Sequence, residues 1–144
     1  MAFSYRLLDD VALADLAFEV AGDSFPDVVQ GATDALIETM ADPVTVGATW
    51  SQSIHLEVTD PADLLFRWLS ELVYWKDAAS VVFSRAVLDL REERGVWKLD
   101  ATLVGAPVDR IAQVLRADVK GVTKHLYDVK GDGGRWTARV VVDV

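Results

Sequence analysis

Two segments of this chain repeat their apolar residues at helical spacing, and what surrounds them reads as strand; that order constrains the fold more than any other feature. In the first segment Ser24 is a good N-cap, Pro26 suits a first turn, and Asp27 stands three residues after the cap. Phe25, Val28, Val29, Ala32, Leu36 and Met40 then recur through Ala41, and Asp42-Pro43 ends the helix. The second segment opens on Asp60-Pro61-Ala62-Asp63, an N-cap aspartate, a proline at the first helical position and a first-turn acid. Leu64, Leu65, Trp68, Leu69, Leu72 and Val73 form its apolar stripe, which predicts a helix to about Trp75.

Strands are predicted at 13–21, Trp50–Val58, 81–83, 86–90, 97–104, 119–129 and 135–142. In the strand at Trp50–Val58, Trp50, Ile54, Leu56 and Val58 take one face, with Gln52, His55 and Glu57 assigned to the other. Residues 91–95 and 130–134 have hairpin-turn composition, and 107–115 fits either a short helix or an extended connection. The order is strand, helix, strand, helix, then a run of strands. It predicts an α+β fold, a mostly antiparallel sheet or sandwich with two main amphipathic helices, rather than a doubly wound parallel sheet.

At 144 residues the chain is read as a single domain, 1–144. Its 51% hydrophobic content argues against disorder. No apolar run approaches the roughly 20 residues that span a bilayer, the first ten residues do not resemble a signal peptide, and cysteine is absent. A cytoplasmic location is the default expectation, and disulfides and thiolate metal sites are excluded. A formal net charge of −9 repels phosphate backbones, so direct nucleic-acid binding is not expected.

A survey for chemistry finds no P-loop and no Gly-x-Ser-x-Gly elbow. Gly131-Asp132-Gly133-Gly134 reads as a turn between strands. His55 and His125 make no metal-ligand pair at helical spacing, and His55 reads as an outward strand residue. Trp68 reads as core, Trp75 as an edge cover, and Tyr74 as core or a contact for a partner. Nothing points to a self-contained enzyme. Two acidic features remain: Asp15, a carboxylate in an otherwise apolar strand, and Asp143-Val144, where a side-chain and a main-chain carboxylate lie one residue apart. Such an oxygen-rich end suits hard divalent cations, although spacing alone favours a frayed tail.

The chain resembles the archease family along nearly its whole length. Ala14-Asp15-Leu16, followed by the apolar strand, Gly22 and the first helix, is similar to the family's opening Leu-Asp-His-Thr-Ala-Asp region, with Ala12-Leu13 in place of His-Thr. The stretch from Leu64 to Tyr74 resembles Leu-Leu-x-x-x-Leu-x-Glu-x-Leu-Tyr, and Gly105-Ala106-Pro107-Val108-Asp109 resembles Gly-Glu-Pro-apolar-Asp. Val119-Lys120-Gly121-Val122-Thr123 with His125 is similar to Val-Lys-Ala-Val-Thr-x-His, Gln113 standing where a histidine is expected, and Asp143-Val144 matches a terminal Asp-Ile.

The resemblance implies a non-enzymatic accessory protein for an RtcB-type RNA ligase, the GTP-dependent enzyme of tRNA splicing and RNA repair. It would promote guanylylation of the ligase and its multiple turnover. It also implies a divalent metal, calcium in the family with magnesium or manganese as alternatives, held by Asp15, Asp143 and Val144, with Lys120 as a further functional residue. The alternative reading is a chaperone or adaptor for RNA-modifying enzymes.

Overall fold

The computed structural model describes residues 3–8 and 15–144. Along the chain they form β1 (Phe3–Leu8), β2 (Asp15–Gly22), α1 (Phe25–Met40), a 3-10 turn (Pro43–Thr45), β3 (Trp50–Val58), α2 (Pro61–Ala79), β4 (Val81–Glu93), β5 (Val96–Pro107), β6 (Gly121–Asp132) and β7 (Arg135–Asp143). The strands pair into two antiparallel sheets, β1-β2-β7-β6 and β3-β5-β4. This is the α+β class that the order of patterns predicts.

The core lies between these elements. Helix α1 starts where Ser24 Oγ accepts the Asp27 N–H at 3.2 Å, and it touches both sheets, packing on β1, β2 and β7 as well as β4. It is therefore buried nearly all round, through Phe25, Val28, Val29, Ala32, Leu36, Ile37 and Met40. Helix α2 packs on β6 of one sheet and on β3, β4 and β5 of the other. The two helices are tied by a buried hydrogen bond from Trp68 Nε1 to Thr33 Oγ1, 2.8 Å, and Thr33 in turn donates to the Val29 carbonyl at 2.6 Å.

Several expectations are corrected. Strand β1 was not anticipated; it adds to the edge of β2 through the register Phe3↔Gly22 to Leu8↔Ala17. Helix α2 runs to Ala79, a turn beyond Trp75, because Lys76 continues its buried stripe. Asp60 takes the N-cap place without a side-chain cap bond. The pieces expected at 81–83 and 86–90 are one strand, bent by a bulge between Phe83 and Arg85. Beside the bulge Gly105 is required, since a Cβ there would run into the Val82 carbonyl oxygen. Gln52 sits on the inner side of β3 with Trp50 and Ile54, not with His55 and Glu57. Residues 108–120 form neither a helix nor a strand, apart from one bridge, Ala41↔Leu115. Leu13 and Ala14, the start of the strand expected at 13–21, lie outside the described residues.

Candidate functional site

The inner strands of the larger sheet, β2 and β7, come from opposite ends of the sequence, and their register places Asp15 directly opposite Asp143. Directly opposed residues in an antiparallel pair share a face, with Cβ atoms roughly 5 Å apart. That face is the one turned away from the core, since the alternating neighbours Leu16, Phe18, Val140 and Val142 pack inward. Farther along the same face the charges alternate across all four strands: Arg6 opposes Glu19, Glu19 opposes Arg139, and Arg139 opposes Asp128. Arg6 Nη2 lies 2.9 Å from Glu19 Oε2, and Arg139 Nε 3.6 Å from Glu19 Oε1. The Asp15–Asp143 row breaks that rule. Two like charges face each other, a destabilising arrangement unless something neutralises it, and among the described residues neither carboxylate has a salt-bridge or side-chain hydrogen-bond partner.

The third strand of this row contributes Gly121, opposite Asp143, where a Cβ would meet nothing within 4 Å. Among the described residues nothing therefore fills the space beside the acid pair on this strand. Lys120 precedes it, exposed, and its backbone N–H donates to the Asp143 carbonyl at 2.7 Å. Val144 packs part-buried against the core, so the segment bearing Asp143 is anchored on both sides rather than frayed. The structure thus brings Asp15, Asp143, Val144 and Lys120 to one end of one sheet. Among the described residues no group of three or more His, Asp or Glu side chains is arranged to hold a metal ion; the acid pair would need other oxygens to complete a cation's shell.

Behind Lys120 stands a feature the sequence reading missed. Lys76, in the last turn of α2, is 8% exposed, and its ammonium lies 2.7 Å from Asp118 Oδ1 and 2.6 Å from Asp77 Oδ1. Burial pushes its pKa down, but the hydrogen bonds it donates to Asp118 and Asp77 outweigh that, and the net shift is upward. The Asp118 carboxyl is held below its ordinary value, chiefly by the Lys76 hydrogen bond. The signal was present: Lys76 follows Leu72 by four residues and Val73 by three, which puts a charge on the apolar stripe.

The other candidates take lesser places. His55 is exposed, as expected, and lies 2.7 Å from both Glu57 and Asp100; these bonds raise its pKa, Glu57 contributing most. His125 is exposed where β6 leaves β7 between Thr123 and Asp128. Trp68 is core, Tyr74 is exposed, and Trp75 is part-buried with its Nε1 lacking a partner. Gly133 and Gly134 make the turn before β7, both at positive φ.

Comparison with known proteins gives a consistent result. The model of the Archease protein family (MTH1598/TM1083) matches residues 5–144. Protein archease of Methanopyrus kandleri is 33% identical over 132 residues, 91% of this chain and 94% of that protein. Protein archease of Methanosarcina barkeri is 29% identical over 141 residues, 97% of this chain and 95% of that protein. The solution structure of Methanobacterium thermoautotrophicum protein 1598 superposes with a TM-score of 0.80 at 27% identity, over 97% of this chain and 98% of that one. A crystal structure of an archease from Thermotoga maritima, described as a possible chaperone, superposes with a TM-score of 0.63 at 17% identity, over 96% of this chain and 98% of that one, and shows the fold alone.

Proposed function

The chain belongs to the archease family, and from that premise we propose that it is a non-enzymatic activator of an RtcB-type RNA ligase, acting through the Asp15–Asp143 end of its larger sheet. The observation that carries this reading is the uncompensated acid pair: two carboxylates in register on one face, in a sheet whose other charges alternate.

The donor set fits a hard divalent cation. Asp15 and Asp143, with the main-chain oxygen of Val144, offer oxygen alone, which calcium accepts readily, as do magnesium or manganese. A bound cation would supply charge compensation for the phosphates of the ligase's GTP during nucleotidyl transfer. The chain's own residues would do the rest. Asp15 and Asp143 hold the ligand from two strands fixed by their ladder, and the open space at Gly121 leaves room for a phosphate oxygen to approach. Lys120 adds an ammonium on the rim, able to meet an anionic phosphate. The net charge of −9 draws the tip toward a basic, RNA-binding face of the ligase rather than toward RNA. Among the described residues no helix is long and apolar enough to cross a membrane, and the reading takes the protein as cytoplasmic.

The test follows guanylylation of the ligase with GTP and metal, with and without this protein. Native protein is expected to stimulate, and Asp15→Ala and Asp143→Ala to lose most of the stimulation while staying folded. Full stimulation by both variants would overturn the reading.

A second reading, a chaperone or adaptor for RNA-modifying enzymes, has an observation of its own. Ile111 is 99% exposed and Val44 91%, and Val108 and Val114 are exposed as well, all on the irregular connection and the 3-10 turn, which meet where the Val114 N–H donates to Thr45 Oγ1; exposed apolar side chains of this kind suit protein contact. Asp143→Ala separates the two: activation through the tip is lost, whereas binding through the exposed apolar side chains is unaffected and falls instead in Val44→Ser with Ile111→Ser.

A further inference from the structure

Among the described residues Lys76 is the one buried charged side chain. Taking an ammonium out of water costs free energy that a methionine on the same stripe would not. Its position is informative. Asp77 is its own helix neighbour, but Asp118 belongs to the irregular connection 108–120, and Lys76 is the side chain through which α2 grips that connection.

The connection is fastened point by point. Arg116 N–H donates to the Met40 carbonyl at 2.9 Å and Ala117 N–H to the Thr39 carbonyl at 3.0 Å, which binds it to the end of α1. Asp118 accepts from Lys76 at 2.7 Å, Val119 is fully buried, and Lys120 N–H reaches the Asp143 carbonyl. Gly121 follows as the first residue of β6, paired with Asp143 through its backbone but with no side chain to pack. The β6–β7 ladder holds Lys120 from downstream, and the upstream hold comes two residues before it at Asp118, a span of at most about 7 Å.

We propose that Lys76 is a positioning residue: through Asp118 it sets Lys120, and through the Lys120 amide the main chain of Asp143, against the Asp15–Asp143 pair. The inference rests on the reading of that pair as the working end of the protein, and it assigns to α2 a part in the site that none of its residues touches directly.

Two variants break the contact from opposite sides. Lys76→Met keeps the buried stripe filled, and Asp118→Ala removes an exposed carboxylate while leaving Asp77 as a partner for Lys76, so it serves even if the lysine variant does not fold. The first readout is amide hydrogen exchange of the whole protein. Exchange at Lys120 is expected to rise tenfold or more in both variants, with Trp68 and the amides of β2 unchanged. The second is ligase guanylylation: Asp118→Ala lowers stimulation severalfold in the native background and has no further effect in Lys120→Ala. Lys120 exchange within twofold of native in Asp118→Ala overturns the proposal, as does an Asp118→Ala effect that persists undiminished in Lys120→Ala. The exchange readout needs no ligase. Absent stimulation by native protein would therefore sink the activator reading, while Lys120 exchange still decides whether Lys76 holds the segment.

Discussion

Replacing Thr33 by valine keeps the shape of the side chain and deletes one oxygen, at a point where that oxygen is the sole partner of a buried indole. Thr33 and Trp68 are both fully buried, and the Trp68 N–H donates to Thr33 Oγ1 at 2.8 Å. The valine strands that donor, which costs about 1–3 kcal/mol for an unsatisfied buried group. A methyl in place of the hydroxyl returns roughly 0.8 kcal/mol through apolar burial. The net loss is on the order of 1–2 kcal/mol, or a fall of roughly 3–7 °C in Tm for a chain of this size. The fold already carries one buried indole N–H without a partner, Trp75 Nε1, and the variant would add a second. Equilibrium urea unfolding measures the effect. The decisive step is a double-mutant cycle with Trp68→Phe, in which Thr33→Val should become neutral or slightly stabilising, giving a coupling of about 1–2 kcal/mol. A coupling within about 0.3 kcal/mol of zero would refute the argument that this bond, rather than packing at Thr33, ties the helices.

Gly105→Ala should be among the most damaging single changes, because its Cβ meets the Val82 carbonyl and lies 3.0 Å from Phe83 Cα, both backbone. The β4–β5 pairing must open at the bulge, at a cost on the order of 3–4 kcal/mol, read as a lower urea midpoint. His55 gives a pH-dependent contribution: its pKa is raised by Glu57 and Asp100, so its stabilisation is fully present below its unfolded value of about 6.5 and lost as pH rises through the folded value. Glu57 and Asp100 are lowered, each first by His55, so their share is present above about pH 4 and lost as pH falls. The stability gap between native protein and His55→Gln should therefore be largest between the ordinary carboxylate and imidazole values, about pH 4.5 to 6.5, and close as pH rises through the raised His55 value; a gap that widens with alkalinity would contradict the assignment.

How much of this was legible in the sequence follows from how local each cause is. The Ser24 cap, the apolar repeat of α1 and the alternation over Trp50–Val58 are short-range signals, and the elements appear where those signals put them. Strand β1 was missed because Phe3–Leu8 is an edge strand whose pairing with β2 has no cue of its own inside six residues. The bulge in β4 looked like a break, since one extra residue shifts the alternation that marks a strand. At the site, Asp15 and Asp143 were each visible as carboxylates beside apolar runs, but their opposition depends on β2 pairing with β7 rather than with a sequence neighbour. Local patterning carries no information about that register. Lys76 was readable as a charge on an apolar stripe, but its partner, Asp118, sits in a segment with no periodicity at all.

The place of Asp15 opposite Asp143 makes the tip part of the folding equilibrium rather than an ornament on it. In an unfolded chain the two carboxylates are far apart, and any ligand they share has nothing to grip. Within the sheet they stand opposite each other, so a cation bound between them would clasp the two inner strands, and its occupancy and folding would rise and fall as one. A cation held there at one hundred times its Kd would add about 2.7 kcal/mol to the stability of the whole molecule. Conversely, a chain that has not closed β2 onto β7 cannot offer the site at all. A partner that recognised this end of the protein would thereby meet finished molecules alone.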